Sequence, residues 1–217
     1  VLGEDHPDTL NSASNLASTL HSLGEHAEAR RMNEDVLARR GRVLGKDHPD
    51  TLTSANNLAS ALQGLGEYAE ARRMHEDVLA RRGRVLGEDH PDTLNSASNL
   101  ASTLHSLGEH AEARRMHEDV LARRGRVLGE DHPETLSSAN NLARALHALR
   151  QYPEAVRLLK DVRASYVCLF GAKHPDTQRV TRNLAAALTA MGRTHEAQQL
   201  TGRKSNKGKR RFGRKRR

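Results

Sequence analysis

Five asparagines recur at intervals of 42 residues, and their side chains are the most regular candidates for chemistry in the sequence. A side-chain amide has two donors and an acceptor, so it can pair with the backbone of another chain whatever side chains that chain carries. We therefore predict that these amides bind a peptide. Two other interpretations stay open: each asparagine ties adjacent helices together, or the copies have simply not diverged. The asparagines are Asn15, Asn57, Asn99, Asn141 and Asn183.

Three arginines lie on the same predicted helix face, but only in the last two repeats. They are Arg144, Arg179 and Arg182. A guanidinium group makes planar, charge-assisted hydrogen bonds to carboxylate or phosphate. The arginines therefore predict an acidic or phosphorylated partner segment, with a solvated helix face as the competing interpretation.

Thirteen histidines and one cysteine raise the question of metal or nucleophilic chemistry. His75 and His117 share a position that holds asparagine or leucine in other repeats, which a metal ligand would not tolerate. Motifs such as CxxC or HExxH are absent from the sequence. Cys168 has no convincing histidine partner, and we predict a packed thiol. We expect no metal, no cofactor and no enzymatic activity.

The end of the sequence is strongly basic. Residues 203–217 contain ten Lys or Arg and no acid, so the net charge of +8 leaves about −2 for the rest of the chain. Such a density favours polyanions: nucleic acid, an acidic protein surface or a nuclear-import receptor. A single Phe is too little for base stacking to give specificity, and an inert, disordered end is the alternative. The candidate polyanion-binding residues are Lys207, Lys209, Arg210, Arg211, Arg214, Lys215, Arg216 and Arg217.

The elements that must position these residues repeat with the same period. A fixed period of this length is typical of a stacked array, in which each unit buries apolar area against its neighbours. The first and third copies differ only at Asn33 and His117. The array occupies residues 1–202 and the tail 203–217, and the units are 1–42, 43–84, 85–126, 127–168 and 169–202.

Each repeat contains the pattern of two helices, A and B. Apolar residues such as Leu10 and Leu16 fall at helical spacing in helix A. Pro7 suits its first turn, with Asp5 or His6 as the cap. Helix B is predicted from about residue 25 to 44, with an inner side made of Ala29, Met32, Val36 and Val43.

These residues resemble a known family. The first copy matches the Leu-Ala-x-x-Leu…Gly…Ala skeleton of a tetratricopeptide repeat at Leu16, Ala17, Leu20, Gly24 and Ala29. The 42-residue unit is similar to the kinesin light chain type. The resemblance implies an all-α, right-handed superhelical solenoid of about five antiparallel helix pairs.

Two kinds of departure from the family pattern affect local packing. His26 and His110 stand where tyrosine is favoured. Arg150 replaces the glycine between helices A and B of the fourth copy. A left-handed arginine there would cost roughly 1 kcal/mol.

The resemblance also implies a non-enzymatic protein–protein interaction scaffold, whose asparagines line a concave groove along helix A. The expected partner is a protein or peptide of acidic character. Polyanion association through the tail and self-assembly by end-to-end stacking of repeats are the alternatives. No apolar run reaches membrane-spanning length, and we expect a cytoplasmic location, or a nuclear one in a eukaryote. Because the chain begins in mid-pattern, we interpret it as part of a longer protein.

Overall fold

The computed structural model describes residues 3–202, and within that range the chain forms ten α-helices and no strands. The chain divides into two compact units, Val1–Ala145 and Leu146–Arg217, each of which is described by itself. The helices are α1 Pro7–Ser22, α2 His26–Val43, α3 Pro49–Gly64, α4 Tyr68–Leu86, α5 Pro91–Ser106, α6 His110–Leu128, α7 Pro133–Ala148, α8 Tyr152–Phe170, α9 Pro175–Ala190 and α10 Thr194–Thr201.

A histidine caps the start of each A helix. In α1, Nδ1 of His6 accepts a 3.2 Å hydrogen bond from the backbone N–H of Asp8, so the cap is His6 rather than Asp5. Pro7 follows at the first helical position, where the backbone N–H that proline lacks would have no partner within the helix. The same bond recurs at His48, His90, His132 and His174.

The turn between helices A and B needs a left-handed residue. Glycine fills that place in most repeats, for example Gly24 with φ of 86°. Arg150 holds the same conformation, with φ of 60°, which confirms that the fourth copy keeps the turn without its glycine. The backbone of Arg150 is therefore strained, because in this conformation its Cβ lies close to the following carbonyl oxygen.

In the first unit each helix packs against the next, from α1 with α2 to α5 with α6. Ala59 and Ala71 are fully buried, as small residues that let helices approach closely. Leu58 is 7% exposed, whereas its counterpart Leu16 is 52% exposed. The difference arises because α1 and α2 pack over Leu58 on one side of α3, whereas no described helix packs against the equivalent side of α1. In the second unit α8 packs with α9, and α9 with α10.

Two predictions of packing are wrong. Val43 is 51% exposed, and Cys168 is exposed. The reason is the helical period: the inward stripe of α2 runs through Val36 to Arg40, and that of α8 runs through Tyr166. Cys168, two residues beyond Tyr166, therefore turns toward solvent. Val43 is the last residue of α2, and its counterparts Val85 and Val127 are 48% and 49% exposed, so this end of helix B is left uncovered in each of these repeats.

Candidate functional site

The predicted asparagines of the first unit lie on its A helices. Asn15 is exposed, whereas Asn57 and Asn99 are half-buried. The Nδ2 group of Asn57 donates to Ser14 Oγ at 3.5 Å, and that of Asn99 donates to Asn56 Oδ1 at 3.1 Å. Both bonds join the A helices of consecutive repeats.

The two amides therefore tie neighbouring repeats together, and each keeps an oxygen for another partner. In residues 3–202, Oδ1 of Asn57 and Oδ1 of Asn99 accept no hydrogen bond from the protein. Asn141 lies half-buried on α7. In the second unit, Asn183 is half-buried on α9 and already makes an interaction within the chain.

The three predicted arginines fall in different surroundings. Arg144 is exposed on α7 in the first unit. In the second unit Arg182 is exposed, whereas Arg179 donates to Asp176 Oδ1 at 2.9 Å. Arg179 is therefore partly neutralised.

Arg144 is near two histidine rings. Burial lowers the pKa of His105, and Arg144 and then His110 lower it further through their charges. The His105 and His110 ring centroids lie 4.8 Å apart. An anion that entered here would meet the exposed guanidinium group of Arg144.

Buried arginines at the repeat junctions were not predicted from the sequence. Arg82 is 4% exposed at the end of α4. Its Nη1 donates to the Asp92 carbonyl oxygen at 3.0 Å and to Ser96 Oγ at 2.9 Å, and its Nη2 donates to Thr53 Oγ1 at 2.8 Å. One guanidinium thus joins helix B of a repeat to the A helices of the same and the following repeat.

The same junction occurs at two other places in the first unit. Arg40 bonds the Asp50 carbonyl oxygen, Ser54 and Asn11, and Arg124 bonds the Glu134 carbonyl oxygen, Ser138 and Asn95. Burial lowers the pKa of Arg82 and Arg124. The sequence does contain a signal for these residues, because an arginine recurs every 42 residues on the inward-facing side of helix B.

In the second unit the junction changes its chemistry. Tyr166 stands where the first three repeats have arginine, and Val180 stands where they have serine. Both are buried. A buried tyrosine and a buried valine therefore take the places of the arginine and the serine, and the Tyr166 side chain forms a hydrogen bond with Arg179. The two positions change together.

Two histidines lie in the core. Helix B of the second and third repeats buries His75 and His117 almost completely. Burial lowers the pKa of each ring to about 4, with smaller effects of Arg144 and His105 on His117. Both nitrogens of His75 lack a hydrogen-bond partner. Both rings are part of the core, at a position that holds Asn33 in the first copy.

The predicted polyanion-binding residues lie outside the described residues. Among residues 3–202 there is no group of three or more His, Cys, Asp or Glu that could hold a metal ion. None of the helices in this part of the chain is both long and apolar enough to cross a membrane.

Family models of the tetratricopeptide repeat match most of the chain, at residues 9–50, 50–125, 97–166 and 178–203. Among curated proteins, none matches the chain.

Solved structures of the same architecture include closely and distantly related chains. A proposed kinesin light chain of Podosopora anserina with nearly identical TPR-like repeats has 35% identity and a TM-score of 0.75, covering 91% of this chain and 94% of that one. BtubC of P. vanneervenii has 21% identity and a TM-score of 0.75, covering 90% and 78%. The Rap conjugation gene regulator of plasmid pLS20, solved with the Phr* peptide, has 11% identity and a TM-score of 0.70, covering 86% and 49%. The all-α solenoid predicted from the sequence is confirmed.

Proposed function

Because the chain belongs to the tetratricopeptide repeat family, in its kinesin light chain-like form, we propose that it is a non-enzymatic scaffold that binds a partner segment along its A helices. The observation that supports this proposal is the row of half-buried amides on α3 and α5. The Asn57 and Asn99 oxygens accept no hydrogen bond in the described range, so each can accept one from a backbone N–H of the partner.

Fixed amides favour binding because the receptor loses little entropy. Asn57 and Asn99 are each held by a hydrogen bond to the preceding A helix. Their rotamers are therefore already selected before a ligand arrives, which reduces the cost of association. The same bonds explain how one residue serves both packing and recognition.

The charge on α7 favours an acidic or phosphorylated segment at the later part of the site. Arg144 is exposed, and its charge acts on the neighbouring His105. A carboxylate or phosphate would accept charge-assisted hydrogen bonds from the guanidinium and offset its positive charge. In the second unit, Arg182 has the same exposed character, while Arg179 is paired with Asp176. The fold is compatible with peptide recognition, since the Rap regulator was solved with a peptide.

The test is a selection from a random peptide library against the full chain, followed by affinity measurements on variants. Asn57→Ala with Asn99→Ala should weaken a selected peptide about tenfold or more, through two lost hydrogen bonds. Arg144→Ala should weaken acidic peptides selectively. Arg42→Ala is the matched control, because Arg42 lies on helix B. Unchanged affinity in the asparagine variant would refute the proposal.

Polyanion association through residues 203–217 is a second candidate, which the ten basic residues of that segment favour. Binding to any DNA should fall steeply as salt rises and vanish when residues 203–217 are removed. Absence of binding at low salt would end this candidate.

Self-assembly is a third candidate, favoured by the open face of α1. The sequences of α1 and α5 are identical, yet Leu16 is 52% exposed where Leu100 is 6% exposed. A helix pair like α3–α4, which covers the equivalent face of α5, would fit this face of α1 if a second copy of the chain supplied it. Light scattering against concentration tests for it, and a mass that stays monomeric would contradict it.

A further inference from the structure

Two histidines meet across the turn between α1 and α2. His21 lies in the last turn of α1, and His26 is the first residue of α2. Their Nδ1 atoms are 3.2 Å apart, and the ring centroids are 4.9 Å apart with an angle of 52° between the ring planes. Both residues are half-buried, so the pair borders solvent. Two imidazole nitrogens therefore converge at the surface of the first repeat.

The turn and the next repeat hold the two rings in place. The backbone N–H of Gly24 donates to the His21 carbonyl oxygen at 3.0 Å and closes the turn. On the other side, the His26 ring occupies the space left by Gly64, where a Cβ would lie 2.5 Å from Nδ1. Ligands that are positioned before a metal ion arrives lose little conformational entropy when it binds. The pair is therefore preorganised.

The separation of the two nitrogens suits a divalent transition-metal ion. Zinc binds imidazole nitrogen at about 2.0–2.1 Å with tetrahedral geometry, which sets two ligand nitrogens about 3.3 Å apart. The observed distance of 3.2 Å is close to this value. Without a metal ion, one ring can donate its Nδ1 proton to the other. For coordination by both Nδ1 atoms, each neutral ring carries its proton on Nε2 instead, which is a change of tautomer and not of charge.

The turn itself does not require two histidines. The second repeat has Gln63 and Tyr68 at these positions, and the fourth has His147 and Tyr152. In both repeats helix A ends and helix B begins at the residues equivalent to those of the first repeat. The histidine pair is therefore available for a role other than forming the turn.

The third repeat contains the same pair beside a positive charge. The His105 and His110 ring centroids are 4.8 Å apart, and Nδ1 of His110 is buried with no hydrogen-bond partner in the described residues. Burial lowers the pKa of His105 most, and the charge of Arg144 lowers it further. At the sequence position equivalent to Arg144, the repeat after the first pair has Ser60. A cation is therefore repelled by an arginine at the third-repeat pair and not at the first.

We propose that His21 and His26 bind a divalent transition-metal ion of the Zn²⁺ type through their Nδ1 atoms, with solvent as the remaining ligands, and that Arg144 disfavours the same ion at the third-repeat pair. Imidazole nitrogen is a preferred ligand of such ions. A site with two protein ligands differs from the groups of three or more that are absent from residues 3–202. Sequence motifs for metal sites do not reveal it, because its ligands lie on two helices. The site goes beyond the proposed function, which involves no metal.

Imidazole ¹⁵N NMR of the full chain during titration with ZnCl₂ alone tests the proposal. The signals of His21 and His26 should shift together and saturate before millimolar zinc is reached. His21→Gln and His26→Tyr each copy the second repeat, which indicates that both variants fold. Each should weaken zinc binding about tenfold or more, through loss of one ligand. His48→Asn is the matched control, because it removes an imidazole outside the pair and keeps a good helix cap, and it should leave the affinity unchanged.

Arg144→Ser gives the third-repeat pair the residue type found beside the first. Zinc should then bind His105 and His110 about threefold to tenfold more tightly than in the unaltered chain, because one nearby positive charge is removed. Unchanged binding there would overturn the role assigned to Arg144. A shift of only one ring of the first pair, binding only at millimolar zinc, or equal affinity in His21→Gln would overturn the metal site itself.

Discussion

Arg82 donates a 2.9 Å hydrogen bond to Ser96 across the junction between the second and third repeats, and both side chains are buried. A buried guanidinium needs hydrogen-bond partners; Nη1 and Nη2 of Arg82 donate to a carbonyl oxygen and two hydroxyls, whereas its Nε has no partner among the described residues. The junction therefore depends on both partners, and Tyr166 with Val180 is the chain's own alternative solution.

The pair should behave as a coupled unit. Arg82→Tyr alone places an aromatic ring against a serine, and Ser96→Val alone leaves a guanidinium donor unpaired, so each should destabilise the chain by about 2–4 kcal/mol. Making both changes reproduces the Tyr166–Val180 junction and should recover about 1–3 kcal/mol. Urea unfolding of the four chains measures this coupling. Strictly additive effects would show that the two positions are independent.

Much of the fold could be predicted from the sequence because its determinants are local. The helix starts depend on the histidine cap and on proline, and the turns on glycine or Arg150. The burial of Arg82 could not be predicted from residue type, because arginine usually lies on the surface. The hydrogen bond from Asn99 to Asn56 depends on a neighbouring repeat. The 42-residue period alone therefore could not distinguish a packing role of these asparagines from a binding role.

The buried histidines should make the array sensitive to acid. His75 and His117 have a folded pKa of about 4, below the ordinary value of 6.5. The unfolded chain therefore binds protons that the folded chain excludes, and stability falls as the pH decreases from about 6.5 toward 4. The loss amounts to as much as about 3 kcal/mol per ring below that range.

His75→Leu copies Leu159 of the fourth repeat and should remove half of this dependence. The variant and the unaltered chain are compared by urea unfolding across that pH range. The stability advantage of the variant should grow as the pH falls. A constant difference at every pH would contradict the assignment of a neutral buried ring.

Gly64 is required by a ring of the preceding repeat. A Cβ at this position would lie 2.5 Å from His26 Nδ1. Gly64→Ala should therefore destabilise the chain by about 1 kcal/mol or more, although alanine is the better helix former. In a His26→Ala background the same change should stabilise it. Thermal unfolding checks both signs, and a stabilising effect in both backgrounds would show that the ring moves aside freely.

Arg150 stores backbone strain. Its φ is 60°, and glycine takes this conformation without the Cβ penalty. Arg150→Gly should stabilise the second unit by about 1 kcal/mol, whereas Arg150→Val should destabilise it. Hydrogen exchange in α8 reports the change locally. Slower unfolding in the valine variant would be inconsistent with a left-handed turn.

The position of a selected peptide on the chain tests recognition along the A helices most directly. The side-chain amide signals of Asn57 and Asn99 are followed by ¹⁵N NMR during titration with that peptide. Both signals should shift and saturate together with binding. Binding that saturates while both amide signals stay unchanged would contradict recognition along the A helices.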